Sequence, residues 1–195
     1  MGVADDDVVL VSVSRISKEK NIEFMLEALV ALDRLGENRF RLLLVGDGPA
    51  RSHIQDRVEA LGLGGRVVLV GLVPPDEMPV YYHLGDIFVF ASKSETQGMV
   101  ILEAMAAGLP VVTVRSSGID DVVRDGENGY KTPENRDVWA QRLGLLMADP
   151  KLRSRLGKQA QAFAESHDVS AFARRVHDFY AFLLAQYHSG RPWRR

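Results

Sequence analysis

The stretch "VVLVSVSRISKEKNIEFMLEALVAL", residues 8 to 32, contains a change of hydrophobic period that decides the fold. Residues 8 to 14 are mostly β-branched or apolar on both faces, which is typical of a strand covered by helices on both sides of a sheet. From residue 20 onward the apolar side chains recur three or four positions apart, as on one face of a helix. This order of strand, loop and helix is the repeating unit of parallel α/β sheets. The apolar helical positions are Ile22, Met25, Leu26, Leu29 and Leu32.

The same alternation continues along the chain. A second helical pattern begins at Pro49, a residue favoured in the first turn of a helix, and ends at Gly62. The alternation predicts a doubly wound parallel α/β sheet of about six strands, in which ligands bind at the carboxyl ends of the strands. Further strands are predicted at residues 41 to 46, 66 to 71, 87 to 92 and 110 to 114.

The end of the chain has a different pattern. Three helical segments, at residues 137 to 147, 150 to 165 and 170 to 187, follow one another with no strand between them. They predict a C-terminal helical tail packed on the sheet. A chain of 195 residues with 46% hydrophobic content is long enough to bury one core, so a single domain over residues 1 to 195 is expected.

Composition excludes several classes of protein. The net charge of -2 argues against a nucleic-acid binder that neutralises phosphates over a whole face. The absence of cysteine excludes a disulfide framework and thiolate metal sites, and it fits a reducing compartment. No segment approaches the ~20 apolar residues needed to cross a bilayer, and the start of the chain has no apolar signal region. We therefore expect a cytoplasmic protein without nucleic-acid partners.

The loop after the first strand, "SRISKEKN", carries three cations. Arg15, Lys18 and Lys20 follow the end of a buried strand, where a doubly wound sheet binds its ligand. An Arg fork and a Lys point charge are suited to a diphosphate. A solvated loop that happens to carry three cations explains the loop equally well.

The loop after the second strand, "VGDGPA", carries two glycines. Gly46 and Gly48 allow a tight turn, and the helix that follows can offer free N–H groups to an anion. A dinucleotide fingerprint requires a third glycine, and no phosphate-loop motif is present in the chain. A purely structural turn is therefore the favoured interpretation of this loop.

The stretch "SETQGMVILEAMAAG", residues 94 to 108, reads as an apolar helix that contains a carboxylate. The helix opens at Gly98, so the backbone N–H groups of Gly98, Met99 and Val100 are expected to be unpaired and to form an anion cradle. Glu103 is expected to be buried one turn further in. A carboxylate buried there without a partner would lower the stability of the fold by roughly several kcal/mol, because it loses its hydration. Its partner is either a neighbouring Arg or Lys or the hydroxyl pair of a ribose. Glu95 lies in the loop before the helix, where a sugar would be.

Several motifs, in order and spacing, resemble the C-terminal half of the group 1 glycosyltransferases, the retaining family four of the GT-B fold. They are "SRISKEKNIEFMLEAL", "LLLVGDGP", "VVLVGLV", "SETQGMVILEAMAAGLPVV" and "SGIDDVVRDGENGY". The resemblance covers roughly residues 8 to 185. Its strongest element is the pair Glu95 and Glu103, with seven residues between them, set in EAMAxGxPVV. The fold implied is a Rossmann-like domain that binds a nucleoside diphosphate sugar, most simply a UDP-linked one.

The resemblance also implies a role for individual residues. Arg15 and Lys20 would bind the diphosphate and stabilise the charge that grows on it, and Glu95 would contact the sugar, which makes these three the implied catalytic residues. The family needs no metal, and Asp120 and Asp121 have no further carboxylate at ligand spacing. The resemblance implies three further donor contacts. Glu103 would bind the ribose hydroxyls, and the backbone near Val73 would contact the base. The phosphates and the sugar would accept hydrogen bonds from the N–H groups of Gly98, Met99 and Val100.

Some positions depart from the usual family pattern. The family often has E-G-F-G where this chain has "ETQG", residues 95 to 98, which is similar to members that transfer hexoses to membrane glycerolipids. Asp121 stands where many members have Glu, and Ser14 replaces a common glycine. These departures leave donor binding in place and leave the exact sugar open, and only the similarity of "ETQG" points to a lipid as one possible acceptor.

The length of the chain differs from that of a whole GT-B enzyme, which has an N-terminal acceptor domain and a C-terminal donor domain. The resemblance implies that the acceptor domain is missing here and that the chain alone is inactive. Half of a nucleotide-sugar epimerase and a non-catalytic nucleotide-sugar-binding module are the alternatives. A reading frame that continues upstream into another strand-helix repeat would favour the transferase.

The final helical pattern is more apolar than a terminal helix on a small domain usually is. It is expected to be exposed or to mate with another chain, which would give a homo-oligomer. The basic tail "SGRPWRR" predicts either a peripheral contact with an anionic membrane or a frayed terminus, the latter being favoured. The apolar face of this helix comprises Phe172, Val176, Phe179, Leu183 and Tyr187.

Overall fold

The computed structural model describes residues 7 to 95 and 98 to 167, together with His177 and Tyr180. Within these residues, six parallel strands form one sheet in the order β3-β2-β1-β4-β5-β6. The predicted doubly wound α/β fold is confirmed, because the strand order reverses direction between β1 and β4. The strands are β1 (Val8–Val13), β2 (Phe40–Val45), β3 (Val67–Gly71), β4 (Ile87–Phe90), β5 (Val111–Val114) and β6 (Gly129–Thr132).

Helices cover both faces of the sheet and create two cores. One core packs α1, α2 and α5 on the sheet, and the other packs α3, α4 and most of α6 on the opposite face. The largest fully buried side chain is Trp139 of α5, whose ring meets that of Phe24 of α1 edge to face. The helices are α1 (Ile22–Arg34), α2 (Arg51–Ala60), α3 (Met78–His83), α4 (Met99–Ala106), α5 (Arg136–Ala148) and α6 (Pro150–Glu165), and Lys18–Lys20 forms a short 3-10 helix.

One strand and one α-helix of the structure were not predicted. Strand β6, "GYKT", has no apolar run, and it forms because its backbone pairs with that of β5. Helix α3, "MPVYYH", has six residues, and three of them are the β-branched or aromatic types that favour strands. Both elements therefore depend on tertiary packing and not on a local pattern.

The helical tail is confirmed as far as the structure describes it. Helices α5 and α6 occupy the first two predicted segments, and α6 packs closely on the turn that joins α4 to β5. A Cβ added to Gly157 of α6 would lie 2.2 Å from the carbonyl oxygen of Gly108 in that turn. The third predicted helix, with its apolar face and the predicted oligomer or membrane contact, lies outside the described residues. None of the described helices is long and apolar enough to cross a membrane.

Candidate functional site

The loop after β1 is held in place by the loop after β2. The N–H of Ser14 donates to Val45 O at 3.0 Å, and the N–H of Ile16 donates to Asp47 O at 2.9 Å. Arg15 lies between these two bonds, so its backbone is fixed although its side chain is exposed. Within the described part of the chain, the guanidinium makes no ion pair or hydrogen bond. Arg15 is thus presented at the carboxyl edge of the sheet as a cation that is free to bind an anion.

The two glycines of the second loop make this crossing possible. A Cβ on Gly46 would lie 2.0 Å from Ser14 O, and a Cβ on Gly48 would lie 2.3 Å from Ile16 O. Gly46 also has a φ of 126°, which side chains rarely adopt. The contacts of both glycines support the structural interpretation of "GDG", and the turn contributes to the site by fixing Arg15.

Lys20 is paired with Glu95, a contact that the sequence did not predict. The ammonium Nζ lies 3.2 Å from Glu95 Oε2, and the two side chains are 20% and 15% exposed. The same Nζ lies 5.7 Å from the centre of the Phe90 ring. The two loops are joined by backbone, because the N–H of Lys93 donates to Glu19 O at 3.0 Å. Two of the implied catalytic residues are thereby brought together, one from each loop.

Helix α4 begins at Gly98, as the sequence predicted, and anion binding at this end stays a prediction. Gly98 is the N-cap residue, with a φ of 60°, and its carbonyl accepts from the N–H groups of Ile101 and Leu102 at 2.9 and 3.0 Å. The N–H groups of Gly98, Met99 and Val100 precede these first helical bonds, as predicted.

The prediction that Glu103 is buried is wrong. Helix α4 packs on the sheet through Ile101, Ala104 and Met105, and its opposite face is open, so Glu103 is exposed and Met99 is 53% exposed. The apolar composition of the helix suggested cover on all sides, which the neighbouring helices do not provide. The carboxylate therefore does not bear the desolvation cost that its predicted burial implied.

The partner of Glu103 is a tyrosine. The O–H of Tyr82 in α3 donates to Glu103 Oε2 at 2.7 Å. Tyr82 is only 3% exposed, and burial, together with the hydrogen bond to the carboxylate and its charge, raises the pKa of the Tyr82 hydroxyl. Neither an Arg nor a Lys contacts Glu103 among the described residues, so that interpretation is contradicted. Sequence reasoning missed Tyr82 because α3 itself was not predicted.

Two adjoining cavities bring four of the eight implied donor contacts together, Arg15, Val73, Val100 and Glu103. The first, of about 560 Å³, lies at the carboxyl ends of β1 and β2 and is lined by Arg15, Val73 and Val100, among others. The second, of about 450 Å³, is a groove between α3 and α4 lined by Tyr82 and Glu103. The cavities share Pro75 and Met78 in their linings. Lys20 and Glu95 line neither cavity.

The described residues contain no group of three His, Asp or Glu side chains that could hold a metal ion. The carboxylate of Asp120 lies 3.3 Å from Lys131 Nζ, in an ion pair.

Comparison with known proteins gives a consistent result. The family model described as "Glycosyl transferases group 1" matches residues 2–163. The alpha-monoglucosyldiacylglycerol synthase of Streptococcus pneumoniae is 31% identical over 182 residues, which are 92% of this chain and 40% of that protein. The sulfoquinovosyl transferase SQD2 of Arabidopsis thaliana is 34% identical over 172 residues, which are 86% of this chain and 32% of that protein.

A solved structure supports the same relationship. The chain superimposes on the crystal structure of Anabaena Alr3699/HepE in complex with UDP and glucose with a TM-score of 0.79 and 26% identity, over 92% of this chain and 49% of that one. The chain spans less than half the length of each of these three proteins. The match over residues 2–163, more than half of the chain, agrees with the motif pair at Glu95 and Glu103. The chain belongs to the family of group 1 glycosyl transferases.

Proposed function

We propose that the chain is the donor-binding domain of a retaining glycosyltransferase that moves a hexose from a nucleoside diphosphate sugar, a UDP-linked one, to an acceptor. The observation that carries the proposal is the cavity that Arg15 and Val100 line together. In this cavity the unpaired guanidinium of Arg15 lies beside the amino end of α4. The guanidinium and the helix end are two independent groups that can bind the same anion.

The chemistry follows from the charges around this cavity. When the bond between the sugar and the diphosphate breaks, its electron pair leaves with the diphosphate, which gains negative charge. The Arg15 guanidinium and the N–H groups of Gly98, Met99 and Val100 stabilise that charge, with no metal required. The Lys20 ammonium, held against Glu95, adds a positive charge next to the carboxylate that contacts the sugar.

The relatives favour the choice of donor and acceptor. The Anabaena structure contains UDP and glucose, and the pneumococcal relative is named as a glucosyldiacylglycerol synthase. A UDP-hexose donor and a lipid acceptor are therefore the substrates that we assign. Since the acceptor is expected on another domain, these 195 residues taken alone should bind the donor without transferring its sugar.

Calorimetric titration of UDP and of uridine into the parent protein and Arg15→Ala tests the proposal. Loss of one charge-assisted contact should weaken UDP binding by about 1.5 to 3 kcal/mol and leave uridine binding nearly unchanged. Arg34→Ala, which removes another exposed Arg far from the cavity, is the matched control and should behave like the parent. A parent that does not bind UDP, or an Arg15→Ala variant that loses UDP and uridine equally, would overturn the proposal.

A further inference from the structure

In the groove between α3 and α4, a buried residue, Tyr82, donates a hydrogen bond to an exposed one, Glu103. The ring of Tyr82 is buried against Phe88 of the sheet, with ring centres 6.1 Å apart, and its hydroxyl is therefore held by the core. Glu103 lies on the open face of α4, where nothing else in the described part of the chain contacts its carboxylate. The buried tyrosine thus determines where the exposed carboxylate lies.

Restraint of Glu103 has a consequence for binding. An exposed glutamate side chain samples many rotamers. A ligand that fixes it in one rotamer loses binding free energy, because the side chain gives up its conformational entropy. The Tyr82 hydroxyl orders the side chain before any ligand arrives. Oε2 accepts from Tyr82, and no hydrogen bond to Oε1 is found among the described residues, so Oε1 can accept from a ligand in the groove that Glu103 lines.

We propose that Tyr82 is a positioning residue that holds the carboxylate of Glu103 for the hydroxyls of a ribose and so makes the site prefer ribonucleotides to nucleotides that lack those hydroxyls. The inference rests on the proposed donor-binding function. It follows from three observations: the shared lining of the two cavities, the 2.7 Å contact, and the difference in exposure between the two residues. In this proposal Tyr82 acts through the carboxylate of Glu103 and not through a contact of its own with the ligand.

A purely structural role for the same hydrogen bond makes a different prediction. If Tyr82 only joins α3 to α4, its loss lowers thermal stability and affects all nucleotides alike. If Tyr82 positions Glu103, its loss affects only ligands that carry ribose hydroxyls. The two roles are separated by comparing UDP with 2′,3′-dideoxyuridine 5′-diphosphate.

The test is calorimetry of these two nucleotides with the parent, Tyr82→Phe and Tyr81→Phe. Tyr81 is the matched control, since it is the neighbouring tyrosine on α3 and its hydroxyl makes no hydrogen bond within the described residues. Tyr82→Phe should weaken UDP binding roughly 2- to 10-fold, the worth of one hydrogen bond, and leave the dideoxy compound unchanged. In a Glu103→Ala background, which leaves the Tyr82 hydroxyl no side-chain oxygen to hold at this position, Tyr82→Phe should no longer change the ratio of the two affinities.

A second readout uses the parent residue. A fluorine label on the Tyr82 ring, introduced as 3-fluorotyrosine, should shift in the NMR spectrum when UDP is added and much less when the dideoxy compound is added. This measurement decides the matter even if Tyr82→Phe fails to fold.

The outcomes are distinguishable. A parent that does not bind UDP overturns the proposed function and this inference with it. A parent that binds both nucleotides equally overturns the ribose contact and leaves the donor site standing. A Tyr82→Phe variant that keeps the parent's preference for UDP overturns the inference alone.

Discussion

Glu103 illustrates how the exposure of one side chain changes what its substitution should do. Glu103→Gln keeps the size of the side chain and an acceptor for the Tyr82 hydroxyl. Since Glu103 is exposed, its replacement should change the free energy of unfolding by no more than about 0.5 kcal/mol. Affinity for UDP should fall, because a charged acceptor is stronger than a neutral one. Thermal melts with and without UDP measure both effects, and a clear fall in the melting temperature without ligand would make Glu103 a structural residue.

The pair of Lys20 and Glu95 should be worth more than an ordinary surface ion pair. Both side chains are about four-fifths buried, so Lys20→Met leaves the Glu95 carboxylate shielded from water and without its cation. We expect a loss of about 1 to 2 kcal/mol in the free energy of unfolding, between the values for exposed and fully buried pairs.

The matched control for this prediction is the pair of Lys93 and Glu134. Their charged atoms lie 2.6 Å apart, but the side chains are 54% and 43% exposed. Lys93→Met should cost no more than about 0.5 kcal/mol, because solvent screens the pair. Urea unfolding compares the two variants, and equal losses would contradict the argument from burial.

Among the helices, α6 begins with the clearest local signal. The Oδ1 atom of Asp149 accepts from the N–H groups of Lys151 and Leu152 at 2.9 and 3.0 Å. Asp149→Ala should lower the free energy of unfolding by about 0.5 to 2 kcal/mol, because two donors lose their partner. Asp56→Ala, which removes an exposed carboxylate from within α2, should have a much smaller effect in the same urea titration. If the two variants unfold at the same urea concentration, the cap is not contributing as argued.

The comparison of α6 with α3 shows which elements a sequence can predict. Helix α6 has a cap, a proline in its first turn and 16 residues of helical periodicity, so its limits follow from local pattern. Helix α3 has six residues and depends on the packing of Tyr82, as β6 depends on pairing with β5. The glycine and charged positions of the site could be predicted because they follow strand ends. The contacts from Lys20 to Glu95 and from Tyr82 to Glu103 could not, because they join loops and helices that only the tertiary fold brings together.

The molecule as a whole depends on close contact between α6 and the turn after α4. Gly157 lies in that contact, and Gly157→Ala would push a Cβ against the carbonyl oxygen of Gly108, a backbone atom that cannot move freely. We expect a loss of about 1 to 3 kcal/mol, the usual cost of overpacking.

Gly144 provides the control in the same kind of environment. It is a buried helical glycine of α5, but a Cβ there would meet its nearest neighbour, the Leu32 side chain, at an ordinary 3.5 Å. Gly144→Ala should be neutral or raise stability by up to about 1 kcal/mol, since alanine favours a helix. Thermal unfolding of the two variants tests the difference, and a Gly157→Ala protein that melts like the parent would show that α6 can move away from the turn.

The crossing of the loops after β1 and β2 also affects how an anion reaches the site from a distance. The lining of the first cavity contains one cation, Arg15, and one carboxylate, Asp47, so its formal charges cancel, and the chain as a whole carries -2. Long-range attraction of a diphosphate is then weak, and binding depends on short-range contacts that dissolved ions screen little. The affinity for UDP should therefore change only slightly between low and physiological ionic strength, whereas a strongly basic phosphate binder would lose much of its affinity over the same range.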